Sequence, residues 1–263
     1  MRSLSFHTEL FVEPFVGGGI VSLTVAFEGF ADHVIIVELD PEVSAVWKTI
    51  TGKNYWNLSD RILRFDVTKE SVQQELSKTS TQIDEIAFRT ILKNRMFHGG
   101  ILAPGASLMK HGENGKGLQS RWYPKTLANR INAIGSIRER FTVIEGDGIA
   151  EIHKYHQSRR AAFFIDPPYT ADGKKAGRRL YRHNELDHMA LFDVAKTIRG
   201  DLLMTYDDVQ GVRELARTHG FDTEIVAMKN THHAKITELL IGKDLEWART
   251  PEGGCVQQEF VFG

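Results

Sequence analysis

The chain reads as an α/β protein: an open, mostly parallel sheet with a helical insertion. Three observations carry this. The short apolar runs Leu10–Val12, Val34–Val37 and Ala161–Ile165 each stop at an acid, with a proline close behind. Such runs, bounded by breakers, suit strands buried on both faces of a parallel sheet. Amphipathic helical patterns alternate with them, and a glycine-rich turn leads from the first run into a helix.

The 263 residues are 41% hydrophobic, enough for one large α/β domain or a domain with an insertion. A formal net charge of -1 excludes a uniformly basic surface, so any nucleic-acid site must be a local patch. The single cysteine, Cys255, excludes an internal disulfide framework and fits a reducing cytosol. No apolar run approaches the roughly 20 residues needed to span a bilayer. Met1 to Glu13 lack the pattern of a secretory signal. A soluble intracellular protein is expected.

In order, Leu10-Phe11-Val12-Glu13 is the first strand, followed by Pro14-Phe15-Val16-Gly17-Gly18-Gly19, a turn where glycine lets backbone approach a ligand. Ile20 to Phe27 form a helix stopped at Gly29. Val34 to Val37 form the second strand, ending in Glu38-Leu39-Asp40-Pro41. An acid about 20 residues beyond a glycine turn has the spacing that holds ribose hydroxyls. The turn lacks both the G-x-G-x-x-G spacing and a phosphate loop's Lys-Ser/Thr, which favours an adenosine cofactor without phosphate.

Gly52 to Ser59 is loop-like. Thr68 to Lys78 and Ile83 to Met96 read as helices, the second amphipathic through Ile83, Ile86, Ala87, Ile91 and Leu92. Asn94-Arg95-Met96-Phe97-His98-Gly99-Gly100 opens a glycine-rich loop. Lys110, Lys116, Arg121, Lys125, Arg130 and Arg138 then face one acid, Glu113, with Trp122 and Tyr123 among them. Basic residues interleaved with aromatics suit a nucleic-acid surface. Phe141 to Glu145 form another strand, leading to Gly146-Asp147-Gly148.

Ala161 to Ile165 end at Asp166-Pro167-Pro168-Tyr169. The prolines cannot continue a ladder, which leaves Asp166 at the carboxyl end of the strand, where open α/β sheets bind ligands. A carboxylate, a carbonyl without a competing N–H and a flat ring suit a planar substrate bearing an amino group. Lys174, Lys175, Arg178 and Arg179 follow, placed to hold phosphates. Glu185 to Ile198 and Arg213 to Thr218 read as helices, and Leu202 to Tyr206 and Lys235 to Ile241 as strands. His153 and His156, and His232 and His233, belong to no recognisable ligand set, so no metal is expected.

Asp166-Pro167-Pro168-Tyr169 resembles the fourth motif of S-adenosylmethionine-dependent amino-methyltransferases, and Phe15-Val16-Gly17-Gly18-Gly19 their first. The motif order, with a basic insertion between, resembles the Dam-like DNA adenine methylases, the D12 class or alpha group. Asn94 to Gly99 are similar to a segment of that family's target recognition domain, with His98 where Asn is usual. Tyr123-Pro124 resembles the aromatic-proline leading back to the catalytic domain. Met1 to Leu10 do not resemble the Gly-Gly-Lys-type segment that precedes the first motif there, so the likeness runs from Phe11 to Ile241.

The resemblance implies a Rossmann-like methyltransferase sheet, mostly parallel with a terminal antiparallel strand. Residues 1–52 and 140–263 would be catalytic, and 53–139 an inserted target-recognition domain. It implies transfer of methyl from S-adenosylmethionine to the N6 amino group of adenine in double-stranded DNA, leaving S-adenosylhomocysteine. Asp166, Pro167, Pro168 and Tyr169 would be catalytic. Glu13, Pro14, Phe15, Gly17, Gly19, Glu38, Leu39, Asp147, Gly148 and Asp166 would hold the cofactor. Arg95, His98, Lys110, Lys116, Arg121, Tyr123, Lys174, Lys175, Arg178 and Arg179 would contact DNA. The resemblance implies a cytoplasmic enzyme, bacterial or phage-encoded, and admits a cognate restriction endonuclease as partner. The alternatives are a DNA-binding methylase remnant without activity, an amino-methyltransferase acting on RNA or a protein amide, and a small-molecule-binding α/β domain.

Overall fold

A computed structural model of the chain describes residues 8–100, 102, 106, 108–109, 117–168, 186–229 and 235–249. Seven strands form one sheet: β1 (Thr8–Glu13), β2 (Ala31–Glu38), β3 (Phe141–Glu145), β4 (Ala161–Ile165), β5 (Asp201–Asp207), β6 (Asp222–Lys229) and β7 (Lys235–Gly242). Their order is β3-β2-β1-β4-β5-β7-β6. The first five are mutually parallel, and β7 runs antiparallel to both β5 and β6. The sheet is therefore mostly parallel, and its antiparallel strand is the last strand in the described chain. With the order reversing at β1, between β2 and β4, the carboxyl ends around β1 are the switch point where such sheets bind ligands.

Helices cover both faces. On one face lie α1 (Ile20–Glu28), α2 (Pro41–Ile50), α3 (Tyr55–Arg64), α4 (Lys69–Ser77), α5 (Ile83–Met96) and α6 (Pro124–Ser136). Their apolar sides join Phe11, Val34, Ile36, Phe141 and Ala162 of the sheet in one core. On the other face, α7 (Gly148–Tyr155), α8 (His188–Thr197) and α9 (Gln210–His219) bury Val12, Ile35, Val37, Phe163, Ile165, Met204, Tyr206, Leu239 and Ile241. Adjacent strand residues thus belong to different cores, as the period-two alternation of strand side chains requires. A short α10 (Glu246–Arg249) closes the described chain, with Arg249 paired to Asp222 and Glu224.

Helix ends follow local chemistry. Asp40 caps α2, its Oδ1 accepting from Glu42 N–H at 2.8 Å, with Pro41 at the first helical position. Gly29 ends α1 in the left-handed conformation, its N–H returning to the Val25 carbonyl. Thr68 and Ser71 cap α4 reciprocally.

Two stretches depart from the sequence reading. The loop read from Gly52 to Ser59 gives way at Tyr55 to helix α3. Its buried Leu58, Ser59 and Ile62 lie on one side, and Tyr55 packs onto α6 where Gly135 leaves no room for a Cβ, which would stand 2.3 Å from the ring. Tertiary packing, rather than local propensity, makes that helix. The hairpin strand β6 was not anticipated. Its residues 223–227 are half-buried or exposed, so the apolar signal is weak on this edge strand. Among the described residues, no helix is long and apolar enough to cross a membrane.

Candidate active site

The carboxyl ends of β2, β1, β4 and β5, with the amino-terminal half of the antiparallel β7 beside them, carry acids on one face. Because Val12, Val37, Ile165, Tyr206 and Leu239 turn into the core under α7, α8 and α9, their neighbours Glu13, Glu38, Asp166, Thr205, Asp207 and Glu238 turn the other way. In sheet order they run Glu38 on β2, Glu13 on β1, Asp166 just past β4, Thr205 and Asp207 on β5, and Glu238 on β7. Most of these strand-end acids were expected from sequence, but only the sheet order sets them in a row.

Glu38 accepts from Gly17 N–H at 3.2 Å on Oε2 and from Asp40 N–H at 2.9 Å on Oε1. It thereby ties the glycine turn to the end of β2. Burial pushes its carboxyl above the ordinary range, a rise the two backbone donors oppose. Trp47 donates its indole N–H to the Gly17 carbonyl at 3.0 Å. Its ring also lies against Gly19, where φ is +60° and an added Cβ would stand 2.5 Å from the indole. Gly19 therefore has both of glycine's classical reasons to be there, torsion and close approach. Around Gly17 and Gly18, both exposed, no atom lies within 4 Å of an added Cβ, so this part of the turn opens to solvent.

Glu13 is buried and accepts from Ser22 N–H at 3.0 Å, near the start of α1. Burial pushes its carboxyl up to about 7, and the nearby Asp166 charge adds to the rise. Pro14 and Phe15 are brought against Gly148, where a Cβ would stand 2.4 Å from the Pro14 carbonyl oxygen. Asp147 caps α7 through Ile149 N–H at 2.9 Å, and Gly146 N–H reaches the Glu38 carbonyl. Leu39 is half exposed beside them. The structure thus gathers Glu13, Pro14, Phe15, Gly17, Gly19, Glu38, Leu39, Asp147 and Gly148 at adjoining strand ends.

Asp166 is exposed, with Pro167 buried and Pro168 half-buried behind it. Thr205 Oγ1 donates to Asp166 Oδ1 at 2.8 Å, fixing the carboxylate's rotamer from the next strand. Sequence reasoning missed Thr205, whose only signal is a hydroxyl in an otherwise apolar strand. Beneath this loop the buried Tyr206 hydroxyl lies 3.0 Å from His188 Nδ1. Burial lowers the His188 imidazole's proton affinity, and burial with the Asp166 charge raises that of the Tyr206 phenol. Tyr169 lies outside the described residues.

A second cluster forms where the end of α5 meets α6. Arg95 is half-buried at the end of α5, and burial with the positive charges of Arg121 and Arg130 lowers its guanidinium's proton affinity. Arg121 donates to the Phe97 carbonyl at 3.3 Å, and Asn94 donates to that of Gly100 at 3.1 Å, so both side chains hold the turn carrying His98. His98 and Tyr123 are exposed. Arg95, Arg121 and Tyr123 therefore lie together with Arg130, which had been noted only as part of the basic stretch. Lys110, Lys116, Lys174, Lys175, Arg178 and Arg179 lie outside the described residues. Among the described residues no group of three or more His, Cys, Asp or Glu is placed to hold a metal ion.

No family model matches the chain, and no curated protein matches it. Solved structures similar to it include a candidate RNA methyltransferase of Pyrococcus horikoshii, 14% identical, covering 90% of this chain and 74% of that one at a TM-score of 0.38. A precorrin-6y C5,15-methyltransferase of Geobacter metallireducens is 8% identical over 91% of this chain and 81% of its own, at 0.37. An rRNA methyltransferase of Streptomyces viridochromogenes is 13% identical over 95% and 83%, at 0.36. At this level of likeness no cofactor or substrate carries over.

Proposed function

We propose that this chain is an S-adenosylmethionine-dependent amino-methyltransferase whose acceptor is the N6 amino group of adenine in DNA. The observation that carries it is the meeting of two half-sites at Asp166. The glycine turn and Glu38 lie on one side, and the Asp-Pro-Pro loop braced by Thr205 stands at the centre.

The donor half fits a cationic adenosine cofactor. Its charged groups are carboxylates, which suit a sulfonium and an ammonium and would repel phosphates. Glu38 accepts backbone N–H groups on both oxygens, from Gly17 and Asp40 among others, and as a carboxylate suits a ribose hydroxyl as well. Leu39 offers an exposed apolar surface for the adenine, and the open side of Gly17 and Gly18 leaves backbone accessible. Bound there, S-adenosylmethionine supplies an electrophilic methyl group.

The acceptor half acts by positioning. Asp166 and the Pro167 carbonyl accept the two amino hydrogens, which aims the nitrogen lone pair at the methyl carbon. As the N–C bond forms, the departing C–S electron pair stays on sulfur. The proton left on nitrogen passes to the Asp166 carboxylate and on to water. No strong base is needed, because the amine turns acidic only as its new bond forms. Alignment and fixed charge carry most of the acceleration. The target must leave the duplex to reach this edge, and Tyr169 would stack on it, contributing about 1–3 kcal/mol. Arg95, Arg121 and Tyr123 would hold the DNA backbone, a role the sequence also suggests for Lys110, Lys116, Lys174, Lys175, Arg178 and Arg179.

The test is transfer of a labelled methyl group from S-adenosylmethionine to mixed-sequence duplex DNA and, separately, to RNA, followed by digestion and nucleoside analysis. Label on N6 of deoxyadenosine is the expected result. Label confined to RNA would move the acceptor to that polymer, and label on neither would remove the proposal.

A further inference from the structure

β7 carries an acid that the proposed transfer does not use. Glu238 pairs in register with Asp207 on β5, and Leu239 and Ile241 beside it turn into the core under α7, α8 and α9. Glu238 therefore projects to the same face as Asp166 and Thr205. One strand separates β4 from β7, so their backbones lie roughly 10 Å apart at the usual strand spacing. Asp166 is held from β5 by Thr205, and Glu238 stands one strand further along the sheet, opposite Asp207. Glu13 and Glu38 lie on the far side of Asp166, which divides the edge into a donor half and an acceptor half.

We propose that Glu238 is a specificity-determining residue of the acceptor half, holding a ring nitrogen next to the amino group that Asp166 and the Pro167 carbonyl hold. This rests on the amino-methyl-transfer reading above. Burial and the charges of Asp166 and Asp207 push the Glu238 carboxyl upward. From β6 its register partner is the uncharged Val226, and Glu224, two positions along, is engaged by Arg249. Protonated, that carboxyl is a hydrogen-bond donor, whereas a carboxylate only accepts, and the upward push favours the protonated form. Two acids in unlike surroundings thus serve one flat ring in opposite senses, one accepting from the amine and the other donating to the ring. Adenine presents this pattern, an amino group flanked by unprotonated ring nitrogens, and cytosine presents it on one side. A ring N–H at that position, as in guanine, would meet a donor and be rejected.

The experiment uses the duplex on which wild-type protein methylates adenine, with the target replaced by 1-deazaadenine or 7-deazaadenine. Wild type should lose tenfold or more in kcat/KM on one of the two. Glu238→Leu should lose a similar factor on adenine itself and nothing further on that deaza base. Glu238→Gln, whose amide can still donate, should recover most of the activity. Equal deaza penalties in wild type and Glu238→Leu would overturn the inference. Independently of turnover, carbon-13 NMR of the Glu238 carboxyl should show its titration midpoint falling in Asp166→Asn. An unchanged midpoint would also overturn it, whereas coupled carboxyls in a protein that methylates nothing would sink the amino-methyl-transfer reading alone.

Discussion

The two halves of the sheet's carboxyl edge treat their acids differently. On β2 and β1, Glu38 and Glu13 are held by backbone donors, namely Gly17 and Asp40 N–H for the first and Ser22 N–H for the second. These contacts lock a glycine turn and a helix start to the strand ends. On β4, β5 and β7, Asp166 takes a side-chain hydroxyl, and Glu238 faces Asp166 and Asp207. Backbone donors build a rigid cradle for a ligand of fixed shape. Acids facing one another, by contrast, raise each other's hold on a proton, as Asp166 and Asp207 do for Glu238.

The contrast breaks most sharply at Asp166. Asp166→Ala should lower kcat on the order of 10³-fold, the scale for one preorganised polar group. Because Asp166 is exposed, stability should change by about 0.5 kcal/mol or less. Thermal melting beside single-turnover methylation checks both. If the variant keeps its activity, the acceptor half lies elsewhere.

A smaller loss is expected at Thr205. Thr205→Val removes a hydrogen bond to a charged group, worth about 1.5–3 kcal/mol, so kcat should fall roughly ten- to a hundredfold. Thr205→Ser should restore it, since only the hydroxyl is at issue. An unchanged kcat in Thr205→Val would show that Asp166 needs no brace.

The donor half is probed by pH. The Glu13 carboxyl titrates near 7 in the folded chain against 4.5 ordinarily. Folding therefore holds a proton that the unfolded chain releases, and stability falls as pH rises between about 4.5 and 7, then levels off. A cation bound beside Glu13 favours its ionised form. Affinity for S-adenosylmethionine should accordingly rise, at most about tenfold per pH unit, up to pH 7, with a proton released on binding. Calorimetry in buffers of different ionisation enthalpy reads that proton. Glu13→Gln should flatten both the stability and the affinity profiles, and a sloping affinity profile in that variant would assign the proton to another group.

Much of this edge is legible in the sequence because it is local. An apolar run ending in Glu13-Pro14, Glu38-Leu39-Asp40-Pro41 or Asp166-Pro167-Pro168 announces a strand, its end and an acid at that end. Gly29 and Asp40 likewise mark helix boundaries through their own torsions and side chains. What stayed hidden depends on register and packing. Thr205 meets Asp166 across 39 positions, and Glu238 is placed by its pairing with Asp207, neither of which local pattern encodes. Helix α3 hid because its reason to form is the approach of Tyr55 to Gly135, some 80 residues away in sequence. Arg130 joined Arg95 and Arg121 only once α5 and α6 were folded beside each other.

The most direct test of the donor half is isothermal titration of the purified protein and of Glu38→Ala with S-adenosylmethionine at pH 8. Glu38→Ala leaves the Gly17 and Asp40 N–H groups without their acceptor, so saturable wild-type binding should weaken by about tenfold or more. Absence of saturable binding in folded wild-type protein, or equal affinity in the two, would contradict the assignment of this edge to the cofactor.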